Sequence, residues 1–447
     1  MSALRARAEA MRPGEQLPTS RALMSELGVG PVTVRRAVAR LTSEGLVTTR
    51  PGAGTFVAQR HRAPEVDTAW QHVSLGASPV DPGAFDLIHR LGDPLELDLS
   101  RGYPDASIRA DGRVAAAMAR AARRPGAWEP PPAAGLSPLR SWFAGEMGVD
   151  VADVLVSPGG QGALSSTLRA IVPSGSPVLF SVPTYPGALA IARSAGLVPV
   201  PVPSDEDGVR PELLELALAA TGARLVYLQP TYANPNGAVL AASRRRAVLD
   251  LAAAAGAFLV EDDFARWLGH GPPPPPPLIG DDRHGSVIAI TSLSKAAAPS
   301  LRVGAIAARG PVLQRIAGLR TVDDFFVSRA LQEAALDLVT GAGWQAHLHA
   351  LGGALRRRCA ALGTSVARHL AGCELKLPSG GLVAWLGLPR HLDDVTVAER
   401  AASVGVGLQA GRPYTLGEDS RPHVRLAFGA TGESSFDEAM RRLAGIL

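Results

Sequence analysis

The sequence predicts an α/β protein preceded by a small, basic, mostly helical head, and three observations carry that expectation. From about residue 94 onward, short apolar runs alternate with helical stretches. Residues 1–62 hold ten Arg against four Glu, a balance of +6 in a chain whose total is +4. The 447 residues are 46% hydrophobic, yet no apolar run approaches the ~20 residues of a membrane-spanning helix. That length suggests two or three domains, and the composition excludes wholesale disorder. The opening stretch, with Arg5, Arg7, Glu9 and Arg12, lacks the apolar segment of a secretory signal. Two cysteines, Cys359 and Cys373, are too few for a disulfide framework, so free thiols in a reducing cytoplasm are expected.

In the head, Thr19 or Ser20 is placed to cap a helix carrying Leu23 and Leu27 at i, i+4, and Gly28 to end it. A second helix starts at Gly30-Pro31, where proline's missing N–H costs nothing. It sets Val34, Ala37, Val38 and Leu41 on one face and leaves Thr33, Arg35, Arg36 and Arg40 on the rest. Two β segments, 46–49 and 55–58, flank the Gly- and Pro-rich turn 50–54. Helix, turn, basic helix and glycine-tipped hairpin is the layout of a winged helix-turn-helix, whose second helix enters the major groove of DNA. Charge alone leaves open a merely Arg-rich solvated surface; the pattern favours a polyanion-binding head over residues 1–60. Residues 61–93 lack periodicity and read as a linker, with a short docked segment around 85–91.

The body, 94–447, shows apolar runs at 154–156, 177–182, 198–202, 225–229, 258–261 and 287–291, expected to be buried strands. Helical stretches such as 161–171, 187–195, 211–220 and 243–255 lie between them. Such alternation predicts a mostly parallel sheet covered by helices on both faces. The proline run 272–277 reads as a stiff spacer, and about 345–447 as a smaller C-terminal lobe.

Of 45 basic residues only Lys295 and Lys376 are lysines. Arginine stays protonated in proteins, whereas a lysine amine can lose its proton and attack a carbonyl. Lys376 has no distinctive company and reads as a surface residue. Lys295 stands in Ser292-Leu293-Ser294-Lys295, with Arg302 seven residues on. Upstream, Pro158-Gly159-Gly160-Gln161 lies between a strand and a helix, suited either to a phosphate or to an ordinary tight turn. Tyr185, after another strand, is placed to stack on a flat ring, and Asn234 in Asn234-Pro235-Asn236-Gly237 to bond a ring oxygen; plain turn chemistry serves for both. Glu261-Asp262-Asp263 closes an apolar strand with three acids, which need a partner such as a protonated ring nitrogen.

Taken in order, these motifs resemble the pyridoxal-phosphate enzymes of fold type I, over roughly 94–447. The resemblance implies that Lys295 forms the Schiff base with the cofactor aldehyde and that Asp262 pairs with the pyridinium nitrogen. It implies that Gly160, Gln161, Ser292 and Arg302 hold the phosphate, that Tyr185 stacks on the ring and that Asn234 bonds its phenolic oxygen. Arg425 takes the place of the arginine that clamps a substrate carboxylate. The head resembles the GntR-type winged helix through Leu17-Pro18-Thr19-Ser20-Arg21, Leu27-Gly28-Val29, Thr33-Val34-Arg35-Arg36-Ala37 and Gly54-Thr55-Phe56-Val57. Head and body together resemble the MocR subfamily of bacterial transcription regulators. That resemblance implies DNA contacts from Arg21, Thr33, Arg35, Arg36 and the wing at Gly54, a homodimer, and an amino-acid-like effector or the cofactor itself as signal. No membrane partner and no metal site are expected.

Four departures stand against that pattern. Residues 3–11 offer only a shortened first helix. Gly30 and Pro31 replace a hydroxyl residue and an arginine on the recognition helix. Phe264 stands where a tyrosine would share the phenolic oxygen with Asn234, and Trp128 where a tyrosine often reaches the phosphate from the partner subunit. The last two weigh against efficient transamination, so a regulator is favoured over the alternative of a working aminotransferase with a vestigial head. Retention of both Lys295 and Asp262 weighs against a body that has lost its cofactor.

Overall fold

In the computed structural model, which describes residues 1–59, 66–76, 78, 95–417 and 421–447, the chain divides into two units, residues 1–77 and 78–447. The first contains α1 (Ser2–Ala10), α2 (Ser20–Leu27), α3 (Pro31–Ser43), β1 (Val47–Arg50) and β2 (Gly54–Val57). Thr19, not Ser20, caps α2: its Oγ1 accepts the N–H of Ala22 at 3.3 Å. Gly28 ends the helix in the left-handed conformation, φ 62°. Along α3, Val34, Ala37 and Leu41 are buried against Leu4, Ala8, Leu17, Leu23 and Val47, with Val38 packed at the edge. Each fully buried side chain the size of valine or leucine stabilises the unit by roughly 1.5–3 kcal/mol.

Two expectations change here. Leu27 does not share the burial of Leu23; it is 39% exposed, because the left-handed turn at Gly28 carries the chain away at that residue. The shortened α1, nine residues long, still delivers Leu4 and Ala8 to the core.

The wing is more than a hairpin. β1 and β2 pair antiparallel with Val47 opposite Val57, and residues 14–17 run along the outer edge of β2. The N–H groups of Gly14 and Leu17 donate to the carbonyls of Val57 and Thr55, both at 2.8 Å. Gly54 has φ +116°, and a Cβ there would lie 2.4 Å from Nε2 of Gln16, which donates to the Ala53 carbonyl at 2.8 Å. It is the positive φ that favours glycine there; the Gln16 side-chain end could shift to admit a Cβ. Within the expected linker a six-residue helix, α4 (Ala69–Ser74), forms and leaves Trp70 and Val73 exposed. The segment around 85–91, with Arg60 and Arg62, lies outside the described residues.

The body is built on β4 (Val154–Ser157), β5 (Pro177–Val182), β6 (Val198–Asp205), β7 (Gly208–Val209), β8 (Leu225–Leu228), β9 (Phe258–Asp262), β10 (Val287–Ser292) and β11 (Gly304–Ala308), following a short β3 (Leu97–Asp98). Their order in one sheet is β4-β11-β10-β9-β8-β5-β6-β7. β10, β9, β8, β5 and β6 are mutually parallel; β11 runs antiparallel to both its neighbours. β11, Gly-Ala-Ile-Ala-Ala, has little of the β-branched and aromatic content that marks a strand, which is why its sequence pattern did not reveal it.

Alternate residues of each strand point to opposite faces. Leu179, Val226, Leu228, Leu259 and Val287 fill one core layer, and Phe180, Leu225, Tyr227, Val260 and Ile288 the other. Helices cover both layers, so the strands read as continuous apolar runs. The proline run serves as an acceptor: the Pro275 and Pro276 carbonyls take bonds from Arg266 at 3.0 Å and Arg245 at 2.7 Å.

The C-terminal lobe contains the 26-residue helix Trp344–His369 and a four-stranded sheet. That sheet has the order β12 (Glu374–Leu375), β13 (Ala384–Gly387), β16 (His423–Leu426), β15 (Gln409–Ala410). β14 (Val406–Gly407) pairs with β3, so Leu97 and Leu99 join the lobe's core from the far end of the body's sequence. No described helix is long and apolar enough to cross a membrane.

Candidate functional site

The carboxyl ends of β4, β8, β9 and β10 open onto one cavity of about 430 Å³. Gly160, Gln161, Tyr185, Asn234, Asp262, Ser292, Lys295, Arg302 and Arg425, every body residue singled out from the sequence as a site residue, line it. Ligands of open α/β sheets collect at this end because the loops there are free to carry chemistry.

Lys295 follows the end of β10. Its Nζ donates to the Gly102 carbonyl at 2.6 Å and sits 3.4 Å from the Tyr103 ring centroid. Burial, helped by the Arg425 and Arg302 guanidinium groups, pushes its amine down to about 7, against the opposing pull of Asp262. A large fraction of the amine is therefore uncharged at neutral pH, as a nucleophile requires. Lys376, by contrast, is exposed and ion-paired with Glu206.

Alternation at the end of β9 sorts the three consecutive acids, of which Asp263 lies just past the strand. Glu261 turns to the far face, fully buried, accepting the N–H groups of Leu278 at 2.8 Å and Ile279 at 3.1 Å; burial above all pushes it up to about 7. Asp263 is ion-paired with Arg266. Asp262 alone faces the cavity. Its Oδ2 accepts from the Tyr227 hydroxyl at 2.6 Å and from Gln229 Nε2 at 2.9 Å. Burial raises its carboxyl above the usual range while those two bonds pull the other way. A cationic ring nitrogen beside it would complete the stabilisation of the carboxylate.

The phosphate corner is assembled from three segments. Arg302, at φ 49°, donates from Nη1 to Ser294 Oγ at 3.2 Å and from Nη2 to the Pro158 carbonyl at 3.0 Å. Ser292 Oγ donates to Ser294 Oγ at 3.0 Å. Gly159 opens the helix Gly159–Ile171 at φ +80°, and a Cβ there would lie 2.9 Å from the Arg302 guanidinium. A helix N-terminus, two hydroxyls and a pre-oriented arginine form a built anion cradle.

The remaining groups surround the same space. The Tyr185 hydroxyl donates to Gln161 Oε1 at 3.1 Å. Asn234 is tethered by its backbone N–H to Gln229 Oε1 at 3.0 Å, while its side-chain Oδ1 is buried with no partner. Phe264 lines the cavity and brings no hydroxyl to it. Arg425, 3% exposed, gives Nη1 to the Ser100 carbonyl at 3.0 Å and to Gln409, whereas its Nε is buried and unpartnered. Trp128 is 77% exposed and does not line the cavity.

The orphaned Asn234 Oδ1 and Arg425 Nε, the cradle at Gly159, and a lysine poised for deprotonation together fit pyridoxal phosphate with a carboxylate-bearing ligand. Sequence reasoning missed Tyr103, Tyr227, Gln229, Ser294 and Gln409. Ser294 was legible as the second hydroxyl of its motif; the others lie outside any recognisable spacing.

In the head, Arg5 and Arg40 pair with Glu44, and Arg7 with Glu26. Arg50 lies over the Phe56 ring at 5.0 Å. Among the described residues Arg21, Arg35 and Arg36 have neither an ion pair nor a hydrogen bond from their side chains, and all three are exposed, as is Thr33.

Residues 102–443 match the aminotransferase class I and II family, and residues 5–57 the bacterial regulatory proteins of the gntR family. The uncharacterized HTH-type transcriptional regulator YjiR of Escherichia coli is 28% identical over 446 residues, covering 97% of this chain and 94% of its own. The 2-aminoadipate transaminase of Thermus thermophilus is 28% identical over 368 residues, 81% of this chain and 92% of the enzyme. The solved structure of LysN, an α-aminoadipate aminotransferase from that organism, complexed with N-(5'-phosphopyridoxyl)-L-leucine, superposes with a TM-score of 0.75 at 28% identity, over 80% of this chain and 93% of LysN. The chain therefore belongs to the aminotransferase class I and II family, in the MocR-type arrangement that sets a gntR-family winged head before a pyridoxal-phosphate fold.

Proposed function

We propose that the chain is a DNA-binding transcription regulator whose body holds pyridoxal phosphate and reads a small amino-acid-like effector, or the cofactor itself. The observation that carries this reading is the division of the head's arginines. Arg5, Arg7 and Arg40 are paired with glutamates of the head itself, whereas those the recognition surface presents, Arg21, Arg35 and Arg36, are left for phosphates. With DNA as partner the site of action is the cytoplasm. Exposed Trp128, Val322 and Phe325 supply apolar surface for a second copy in a homodimer.

The cofactor, when bound, supplies an electrophilic aldehyde and an electron-accepting ring. Around it Lys295 would offer an uncharged amine, Asp262 would face the ring nitrogen, the Gly159–Arg302 corner would neutralise the phosphate, and Arg425, whose buried Nε lacks a partner, would bind a carboxylate. An effector changes DNA affinity only by binding the DNA-competent and incompetent arrangements unequally.

The test is binding of the full chain to a duplex from its own locus against a random duplex, with and without cofactor. Preference for the former, shifted several-fold by cofactor or amino acid, is expected; equal binding to both duplexes in every condition overturns the reading.

A second reading, a working aminotransferase, is favoured by one observation: Lys295, Asp262 and Arg425 all line one cavity. Sustained turnover of an amino donor and a 2-oxo acid by the full chain supports it.

A further inference from the structure

We infer that Val32, at the tip of the recognition helix, reads the C5-methyl group of a thymine, and that operator sequence is selected there by apolar contact. The inference rests on the DNA-binding reading above and adds the chemistry by which one base pair is chosen.

Val32 is 51% exposed, more than any other valine or leucine of residues 1–59, and it stands in the first turn of α3. Apart from the Thr33 hydroxyl and the Val32 N–H, that turn offers few donors to a phosphate or to a base acceptor. Gly30 caps it without a side-chain bond, Pro31 has no N–H, and the N–H groups of Thr33 and Val34 both point at the Gly30 carbonyl, at 3.1 and 3.2 Å. The tip is thus an apolar knob, Pro31 and Val32, rather than a donor array.

One helical turn further on the chemistry reverses. Arg35 and Arg36 lie at i+3 and i+4 from Val32, on the same exposed side and without side-chain partners among the described residues. A surface with an apolar tip flanked by free guanidinium groups matches one feature of a DNA duplex. In the major groove the thymine methyl is the apolar group on a base edge, bordered by phosphates. Pro31 has no side-chain donor with which to read guanine by paired bonds at this spot, and the exposed isopropyl group of Val32 offers apolar contact instead.

The test begins with selection of duplexes from a random library by the full chain, followed by single replacement of each consensus thymine with deoxyuridine, which removes only the methyl. At one thymine per half-site the change is expected to weaken binding about fourfold, the effect of one buried methyl group. Val32→Ala is expected to bind the thymine duplex about that much more weakly and to be indifferent to uridine at the same position. Arg36→Ala is expected to lower affinity for both duplexes equally. Indifference of the unaltered chain to uridine at every position, or equal sensitivity of Val32→Ala, overturns the inference while leaving DNA binding intact. Selection that returns no consensus overturns the DNA-binding reading itself, and this contact with it.

Discussion

Arg36 in the head and Arg302 in the body are both guanidinium groups proposed to meet phosphates, and the two units hold them in opposite ways. Arg36 is exposed and unpartnered on α3. Arg302 is fixed by Ser294 Oγ and the Pro158 carbonyl beneath a glycine that leaves no room for a side chain. A mobile charge in water suits a polyanion whose position along the groove must be searched, and its strength falls with salt. A part-buried, pre-oriented charge suits one small phosphate and is screened less than an exposed one. The body likewise shifts the titration of Lys295, Asp262 and Glu261 by burial. The head should thus answer to salt and the body to pH.

The largest expected effect is loss of covalent cofactor capture in Lys295→Ala. Borohydride treatment and peptide mapping should find a pyridoxyl group on Lys295 in the native chain and none in the variant; Lys295→Arg should fail equally, since its charge is permanent. Next, Leu41→Ala in the head core, where Leu41 is 0% exposed, should cost about 2–5 kcal/mol in the head's own melting transition. Cofactor absorbance should stay intact; a simultaneous loss would break the picture of two self-sufficient units. Arg302→Ala should weaken cofactor binding by about 10–100-fold by equilibrium dialysis, the worth of charged hydrogen bonds at about 1.5–3 kcal/mol. Arg36→Ala should weaken DNA binding uniformly across sequences and reduce the slope of log affinity against log salt by about 1. The smallest effect is in pH: cofactor capture should rise as pH passes upward through about 7, because below it the Lys295 amine is protonated and has no lone pair to give. A rate indifferent to pH across that value would contradict the shifted amine.

Local spacing carried much of this molecule. The Val34–Ala37–Leu41 face, the glycine after α2, and the strand ends bearing Asp262 and Ser292 are all readable within a short window, because helix and strand periodicities act at that range. Trp128 marks the limit of local reading: it is exposed and outside its own chain's cavity, as a residue whose expected reach is into a partner subunit would be, and its spacing alone says nothing of that subunit. Alternation at the end of β9, which turns Glu261 and Asp263 away and Asp262 inward, was in principle legible, since a strand's period is two.

The residues alone therefore settled a winged basic head, an α/β body, and a lysine kept where arginine is otherwise the rule. Only folding decided that Lys295 meets the Gly102 carbonyl 193 residues away, and that Arg425 meets Ser100 at a separation of 325. It also decided that Tyr227 and Gln229 share one oxygen of Asp262. Such contacts leave no trace in local spacing: they exist because parallel strands from distant parts of the chain end side by side, and because burial there changes the proton affinity of the groups they bring together.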